Sequence, residues 1–305
     1  MKKLSIVLSF WILVSIDVDA QQLPYTSPIQ ELSYLWNPGF TAQGTDLEYT
    51  AFYRKQWFGF DNAPNTAVAS VQYPFIDLNM SVGGSIISDK TGPVSKTGVQ
   101  LNYAYKLREI FSEDDQLSLG INAYLFQYSF SEKDQQIIHP DDPLLAGSTQ
   151  SKFNPSAGFG LAYLSSTEEY RGDNVFYFGV ATMQSFSTDL SLATGSATRE
   201  QHIFANLGTK LYGYSHYIEP SFQVNFVNPE IIDYILSAKY EMEDTFWSGI
   251  SYSSTNAISI NGGVIMNDVG GRYTQLRIGA LAGINGSLGT GPTFEFFLAY
   301  RSDLD

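Results

Sequence analysis

The sequence predicts an all-β fold, a transmembrane antiparallel β-barrel of the outer-membrane type with about 14 strands, and three observations lead to it. Charged residues make up only 16% of the 305-residue chain, which contains 20 Tyr and 21 Phe, as a lipid-facing surface with aromatic girdles requires. Apolar and polar residues alternate in many short segments, which is the period of a β-strand. After residue 20, no segment approaches the roughly 18 consecutive apolar residues of a spanning helix.

The first 20 residues have the pattern of a secretory signal peptide. Two lysines precede an apolar run over 4–16, and small residues stand three and one positions before Gln21. A buried first helix is the alternative, but the positive start and the following Pro24 and Pro28 disfavour it. We expect residues 1–20 to be removed and the mature chain to lie in the outer membrane, without a lipid anchor because Gln21 is not Cys.

Composition excludes several classes of protein. The net charge is −14, from 17 Lys and Arg against 31 Asp and Glu, and such a surface is repelled by nucleic-acid phosphates. The chain has no Cys, which excludes a disulfide scaffold, a thiol nucleophile and a cysteine zinc site. No break in composition divides the mature chain, so one barrel domain over 46–305 is expected.

Five segments alternate clearly enough to assign a lipid-facing and a lumen-facing side. The apolar positions of these segments are Leu117, Leu119, Ile121, Ala123 and Leu125; Ile203, Ala205, Leu207 and Leu211; Ile258, Ile260, Val264 and Met266; Leu276, Ile278, Ala280, Ala282 and Ile284; and Phe294, Phe296, Leu298 and Tyr300. The intervening polar residues, which include His202, Lys210, Arg277 and Glu295, are expected to line the lumen.

The same pattern places the strands and sorts their connections. The predicted strands are 46–56, 66–74, 79–87, 95–107, 116–129, 154–165, 174–182, 200–211, 214–227, 231–241, 244–253, 256–268, 272–285 and 291–301. An even number of strands puts both chain ends on the periplasmic side. The short turns 74–77, 212–214 and 241–244 then fall on that side, and the long loops 131–152 and 183–199 fall outside.

A pair of secreted β-sandwich domains would also show alternating strands. The sequence favours the barrel, because no linker separates two halves and many strands exceed nine residues. The content of Gly and aromatic residues is also uniform along the chain.

Residues 21–45 precede the first strand. They are too apolar for a free tail, with Tyr34, Leu35 and Trp36 in succession, yet too interrupted by Pro for a strand. We expect this segment to fold into or beneath the lumen and to narrow it, as a plug or cover. Deleting residues 23–41 would then raise the conductance of the barrel.

The sequence contains no catalytic or cofactor motif. Its three histidines are His139, in an acidic loop, and His202 and His216, which fall on predicted strands at lumen-facing positions. No Gly-x-Ser-x-Gly elbow, His-Glu-x-x-His pair or phosphate loop accompanies them. Three acidic groups lack the ligand spacing of a calcium loop and read as solvated turns: Glu113-Asp114-Asp115, Asp141-Asp142 and Glu168-Glu169. We expect no enzyme activity, no metal and no cofactor.

The most distinctive stretch is 53–70, YRKQWFGFDNAPNTAVAS. Its signature residues fit neither a hydrophobic repeat nor a catalytic template: Tyr53, Arg54, Gln56, Trp57, Gly59, Phe60, Ala63, Pro64 and Thr66. The stretch is predicted to end the first strand and form the first outward loop, turned by Gly59 and Ala63-Pro64. The loop is either a rim with an interface Trp or a contact for a partner protein.

This signature resembles the start of the PorP/SprF family, outer-membrane proteins of type IX secretion and gliding. The resemblance spans the mature chain through Asn37-Pro38, Gly83-Gly84, Asp89 with Gly92-Pro93, Phe153-Asn154-Pro155 with Gly158 and Gly160, 177–180, 202–208 and 246–249. It weakens at the end, where Gly291-Pro292-Thr293-Phe294-Glu295 replaces a Gly-Ser-His-Glu motif and the last strand lacks a terminal aromatic residue.

The resemblance implies one of two roles. Family members are dedicated partners that export or anchor a secreted surface adhesin through its C-terminal domain, or core components that contact the periplasmic ring and peptidoglycan-linked components. We favour the first role, with the loops 131–152 and 183–199 as the outer contact. In the second, the turns near 107–115 and 166–173 would touch the ring. A passive porin, with Lys210, Arg277 and Glu295 as a selectivity ring, is a third alternative.

Overall fold

A computed structural model of the protein describes residues 31–130, 149–150, 153–167, 173–185, 189–192, 195–198, 201–228, 231–285 and 291–304. These residues form short 3-10 helices at Ser33–Leu35, Pro38–Phe40 and Ile76–Leu78. Their strands are β1 Leu47–Lys55, β2 Asn65–Phe75, β3 Met80–Thr91, β4 Val94–Arg108, β5 Gln116–Phe130, β6 Thr149–Gln150, β7 Asn154–Leu164, β8 Val175–Met183, β9 Asp189–Leu192, β10 Gly195–Thr198, β11 His202–Tyr212, β12 His216–Asn228, β13 Ile231–Met242, β14 Phe246–Ser253, β15 Ala257–Asn267, β16 Thr274–Asn285 and β17 Thr293–Ser302. Among the described residues, no helix is both long and apolar enough to cross a membrane.

Fourteen of these strands close into one antiparallel barrel, which confirms the predicted fold class. The ring is completed by β1 and β17, which pair from Leu47 with Ser302 to Lys55 with Phe294. The short β6 pairs with the last two residues of β5, while β9 and β10 form a separate hairpin. A closed sheet has no free edge, so the strands satisfy one another's backbone hydrogen bonds within an apolar phase.

The outer surface of the barrel is apolar, and the polar side chains of the strands point inward. Leu101 and Ile260 point outward and are each 62% exposed, whereas Gln100, Asn102 and Ser259 beside them are buried inside. This is the inverse of a soluble protein and matches a wall whose outer face meets lipid.

The side predicted for individual residues is confirmed except at His216. His202, Arg277 and Glu295 are buried inside the barrel. His216 was predicted to face the lumen, but the inward positions of β12 are Tyr217 and alternate residues after it, so His216 points outward. There it stacks on Tyr240, with ring centroids 5.4 Å apart.

The connections divide between the two ends of the barrel as the alternation of strands predicted. The turns 76–79, 109–115, 213–215, 243–245 and 268–273 lie on the side of the chain ends, and 56–64 and 92–93 lie on the opposite side. Most of the loop 131–152 lies outside the described residues, whereas the described part of the loop 183–199 contains the hairpin of β9 and β10. The largest boundary error is in β3, which continues four residues past the predicted end because its last residues pair with both β2 and β4.

Candidate functional site: the occupied lumen and the signature loop

Residues 31–43, which we call the lumen segment, lie inside the barrel. Leu32 and Thr41 are fully buried, and Tyr34, Leu35 and Trp36 are at most 7% exposed. The side chains of Leu32, Tyr34, Leu35 and Trp36 form one apolar cluster with inward-facing residues of the wall, which include Phe52, Val68, Ile87, Tyr124, Phe126, Met183, Phe204, Trp247, Ile265 and Phe297. The hydrophobic core of this protein is therefore the interior of the barrel, and the lumen segment supplies part of it.

Polar side chains of the wall bind the backbone of the lumen segment. Asn102 Nδ2 donates to the carbonyl of Tyr34 over 2.9 Å, and Gln100 Nε2 donates to that of Leu35 over 3.2 Å. Further bonds join Ser81 Oγ to Thr41 O at 2.6 Å, Ala42 N to Gln72 Oε1 at 2.8 Å, and Lys106 Nζ to Ala42 O. The segment has few backbone bonds of its own, so these side chains replace the water that its peptide groups would otherwise bind.

A buried ion cluster holds the start of the lumen segment. Glu31 Oε1 lies 2.8 Å from Lys239 Nζ and 3.2 Å from Arg277 Nη2, and Glu31 Oε2 lies 3.6 Å from Arg301. Glu241 Oε2 bridges the first two cations, at 2.8 and 2.7 Å. Three cations from three strands therefore surround the Glu31 carboxylate.

The signature residues occupy different environments. Tyr53 points outward and is 43% exposed, whereas Arg54 points inward, with Nε 3.2 Å from Glu295 Oε1. Ala63 and Pro64 are buried where β2 begins. Alternation predicted that Glu295 faces the lumen, and barrel closure between β1 and β17 places Arg54 opposite it in register.

The signature loop, residues 56–64, is a closed and sharply turned structure. Gln56 N donates to Pro64 O over 2.9 Å at its base. Trp57 and Gly59 have positive φ angles of 50° and 101°, and a conformation like that of Gly59 is readily available only to glycine. The predicted turning role of Gly59 therefore has a direct backbone cause.

The signature loop presents aromatic side chains on the rim opposite the chain ends, which we call the outer rim because it is predicted to face outward. Phe58 and Phe60 are each 55% exposed. Phe58 N donates to Pro292 O over 2.8 Å, and its ring meets Phe294 edge to face at 5.5 Å, so the loop is braced against the connection before β17. Phe60 is the most exposed aromatic side chain among the signature residues, ahead of Tyr53 at 43%.

Within the described part of the chain, no group of three or more His, Cys, Asp or Glu residues is placed to hold a metal ion. Asp115 of the predicted acidic turn is directed onto its own backbone, where it accepts hydrogen bonds from Ile110 N and Phe111 N. The acidic pairs at 141–142 and 168–169, together with His139, lie outside the described residues.

Sequence reasoning did not find the ion cluster around Glu31. Alternation along β13 would have turned Lys239 and Glu241 toward the lumen, but nothing in the sequence connects them with Glu31, which precedes every strand. Lys239 and Glu31 are 208 residues apart and meet only because the segment folds back inside the closed wall.

A closed barrel with an apolar exterior and a polar, occupied interior defines an integral membrane protein of the outer-membrane type. Among solved structures, the toluene transporter TbuX of Ralstonia pickettii shares this fold with a TM-score of 0.56 and 9% identity, over 90% of this chain and 93% of TbuX. The CymD monoaromatic hydrocarbon channel has a TM-score of 0.55 and 10% identity, over 92% of this chain and 94% of CymD. A deltaS2 mutant of the TodX monoaromatic hydrocarbon channel has a TM-score of 0.53 and 8% identity, over 90% of this chain and 94% of TodX. At these identities the likeness shows the fold alone.

The particular family is given by sequence. The family described as type IX secretion system membrane protein PorP/SprF matches residues 18–300, and this chain belongs to it, which confirms the resemblance carried by its motifs. A comparison with curated proteins gives no match.

Proposed function

We propose that this barrel is a dedicated partner of one secreted type IX substrate, a surface adhesin that it exports or anchors through the adhesin's C-terminal domain. Membership of the type IX family is the basis of this proposal. The observation that carries it further is the occupied lumen. A barrel whose interior is packed by its own segment offers its loops and rims to a partner rather than a passage through its centre.

The outer rim has the chemistry of a protein contact. Exposed aromatic side chains dominate the energetics of many interfaces, and Phe60 stands on a loop that is closed at its base and braced against a neighbour. A partner-contact role fits Phe60 better than Arg54, whose guanidinium is paired inside the wall. The long loops 131–152 and 183–199 begin on the same rim and remain the other proposed contacts.

Two alternatives stay testable. A core component would contact the periplasmic ring through the opposite rim, where Phe111 is 79% exposed on the turn 109–115. A passive porin would need an open lumen lined by available charges. Arg277 and Glu295 are instead engaged with Glu241 and Arg54, which disfavours a selectivity ring.

The proposal also assigns roles to the N-terminal part of the chain. Residues 1–20 act as a signal peptide that is removed on export to the outer membrane, which the mass of the purified protein would test. The lumen segment serves as a plug, because its apolar side chains and Glu31 are anchored to strands around the wall.

The test is a deletion strain complemented with rim variants, followed by proteomics of the medium and the cell surface. We expect one large secreted protein to change location in the deletion strain. Phe60→Ala should reproduce much of that defect while the barrel still reaches the membrane, and the matched change Phe111→Ala on the opposite rim should not. If only Phe111→Ala reproduces the defect, the ring-contact role replaces this one, and an unchanged surface proteome rejects the secretion role.

A further inference from the structure

The turn Asn37–Phe40 of the lumen segment rests on a patch of wall that carries no inward side chain larger than a methyl group. Gly120 on β5 faces Gly160 on β7 in the ladder, and Ala162 on β7 faces Gly179 on β8. We call these four residues the glycine seat. Glycine is unfavourable inside strands, so a cluster of three on neighbouring strands requires a local reason.

The reason is the close approach of the turn. A Cβ atom at any of the three glycines would lie less than 3.0 Å from it: against Gly39 N and Pro38 C from Gly120, against Asn37 Oδ1 from Gly160, and against Phe40 Cε2 from Gly179. The positive-φ residues of the described chain do not include these glycines, so space rather than backbone conformation excludes a side chain.

The turn is equally specific on its own side. Asn37 Oδ1 accepts a hydrogen bond from Gly39 N at 2.8 Å, which fixes the turn, and its Nδ2 donates to Leu161 O at 3.0 Å. A Cβ on Gly39 would lie 2.8 Å from Ala162 N. Asn supplies both bonds and Gly permits the approach, so neither can be exchanged without loss of contact.

The aromatic residue that follows completes the fit. The Phe40 ring is 9% exposed and meets Tyr177 edge to face, with centroids 6.2 Å apart. The Tyr177 hydroxyl donates to Glu219 Oε1 over 2.8 Å, which orients the ring that Phe40 contacts.

The seat does not depend on the turn for its own construction. β5, β7 and β8 pair through continuous ladders that include no residue of the lumen segment. The segment joins β1 through residues 44–46, of which Gly44 and Thr45 are exposed. We therefore expect the wall to keep its hydrogen bonds when the turn is removed, with the glycine seat left as an empty recess.

We propose that the glycine seat is a peptide-binding site for an Asn-Pro-Gly-aromatic turn, and that the chain's own lumen segment occupies it in cis as a releasable ligand. This rests on the proposed plug but not on the proposed secreted partner, since a purified barrel suffices to test it. A peptide bearing the same turn should bind the seat in trans once the native turn is displaced.

The test uses conductance in planar bilayers. Gly39→Val should push the turn out of the seat and raise conductance severalfold, because a barrel of about 14 strands is wide enough to conduct when empty. A synthetic peptide of residues 31–44 should return it to the wild-type level. In the double variant Gly39→Val/Gly160→Val the same peptide should have no effect, because a side chain at position 160 occupies the place of Asn37 Oδ1. Valine is favourable in β-strands, so the change at position 160 should leave β7 intact.

Gly84→Val is the matched control, since a Cβ there meets only Leu101 at 3.8 Å, and its conductance should equal that of the wild type. If Gly39→Val does not yield a folded barrel, Asn37→Ala removes both side-chain bonds of the turn without adding volume. The inference is overturned if the turn variants conduct no more than the wild type, or if the peptide closes the single and double variants alike. An unchanged surface proteome in the deletion strain would leave this result standing.

Discussion

Asp115 shapes the turn between β4 and β5 by itself. Its carboxylate accepts hydrogen bonds from the backbone of Ile110 at 2.7 Å, Phe111 at 2.8 Å and Ser112 at 3.2 Å, and from the Tyr163 hydroxyl at 3.2 Å. Burial raises the pKa of Asp115, but these donors outweigh it and leave the pKa below its ordinary value. One carboxylate thereby shapes the turn that exposes Phe111 on the rim that carries the chain ends.

We expect Asp115→Asn to loosen this turn and to speed amide hydrogen exchange at Ile110 and Phe111. A depressed pKa means that the carboxylate stabilises the fold above its unfolded pKa of about 3.9, and that this contribution is lost as the pH falls through the folded pKa. The ratio of variant to wild-type exchange should therefore be constant near neutral pH and shrink below about pH 4. Glu113→Gln, on an exposed neighbour, is the control, and an equal effect there would contradict the assignment.

The lumen segment is held by different interactions at its start and in its middle. Charge holds Glu31, through cations on β13, β16 and β17, whereas shape holds Asn37–Phe40 against the glycine seat. A short element without a ladder of its own needs both. Breaking a buried ion pair by removing one partner is destabilising, because the remaining charge loses compensation.

Glu31→Gln should weaken the first of these attachments. Lys239 and Arg277 keep Glu241 as a partner in this variant, so the loss should be about 1.5 kcal/mol, which raises the released population about tenfold. The expected readout is a larger open fraction in planar bilayers, with the gel migration of the folded barrel unchanged. Glu243→Gln, on a nearby turn, should have the open fraction of the wild type. If Glu31→Gln has the same open fraction as this control, the ion cluster does not hold the lumen segment.

Closure is a property of the whole molecule. β17 pairs with β16 on one side and with β1 on the other, so the last strand completes a ladder that started about 245 residues earlier. Such a sheet opens only if an entire inter-strand ladder is lost, which makes closed barrels resistant to detergent.

The purified protein should migrate faster on a detergent gel before boiling than after it. Deletion of β17 should abolish this shift because β1 and β16 lose their common partner. Deletion of residues 303–305, beyond the last strand, should leave it intact. Recovery of the wild-type protein in the soluble fraction would contradict the barrel assignment.

The sequence by itself determined the strands, their sides and the family. A period of two is a local property, so Leu119 and Ile121 could be assigned to lipid and Ser118 and Asn122 to the lumen without knowledge of any neighbour. The predicted side of His216 was wrong because this residue stands at the start of a strand. An error of one residue in the strand register there reverses the side to which a side chain is assigned.

Only the tertiary structure decided which distant residues meet. The pairing of Arg54 with Glu295, the Glu31 ion cluster and the alignment of Gly120, Gly160 and Gly179 all depend on barrel register and on the path of the lumen segment. Periodicity states which way a side chain points but not what it faces. Which residues a side chain contacts is decided by barrel closure, because closure brings strands far apart in sequence around one interior and the lumen segment fills that interior.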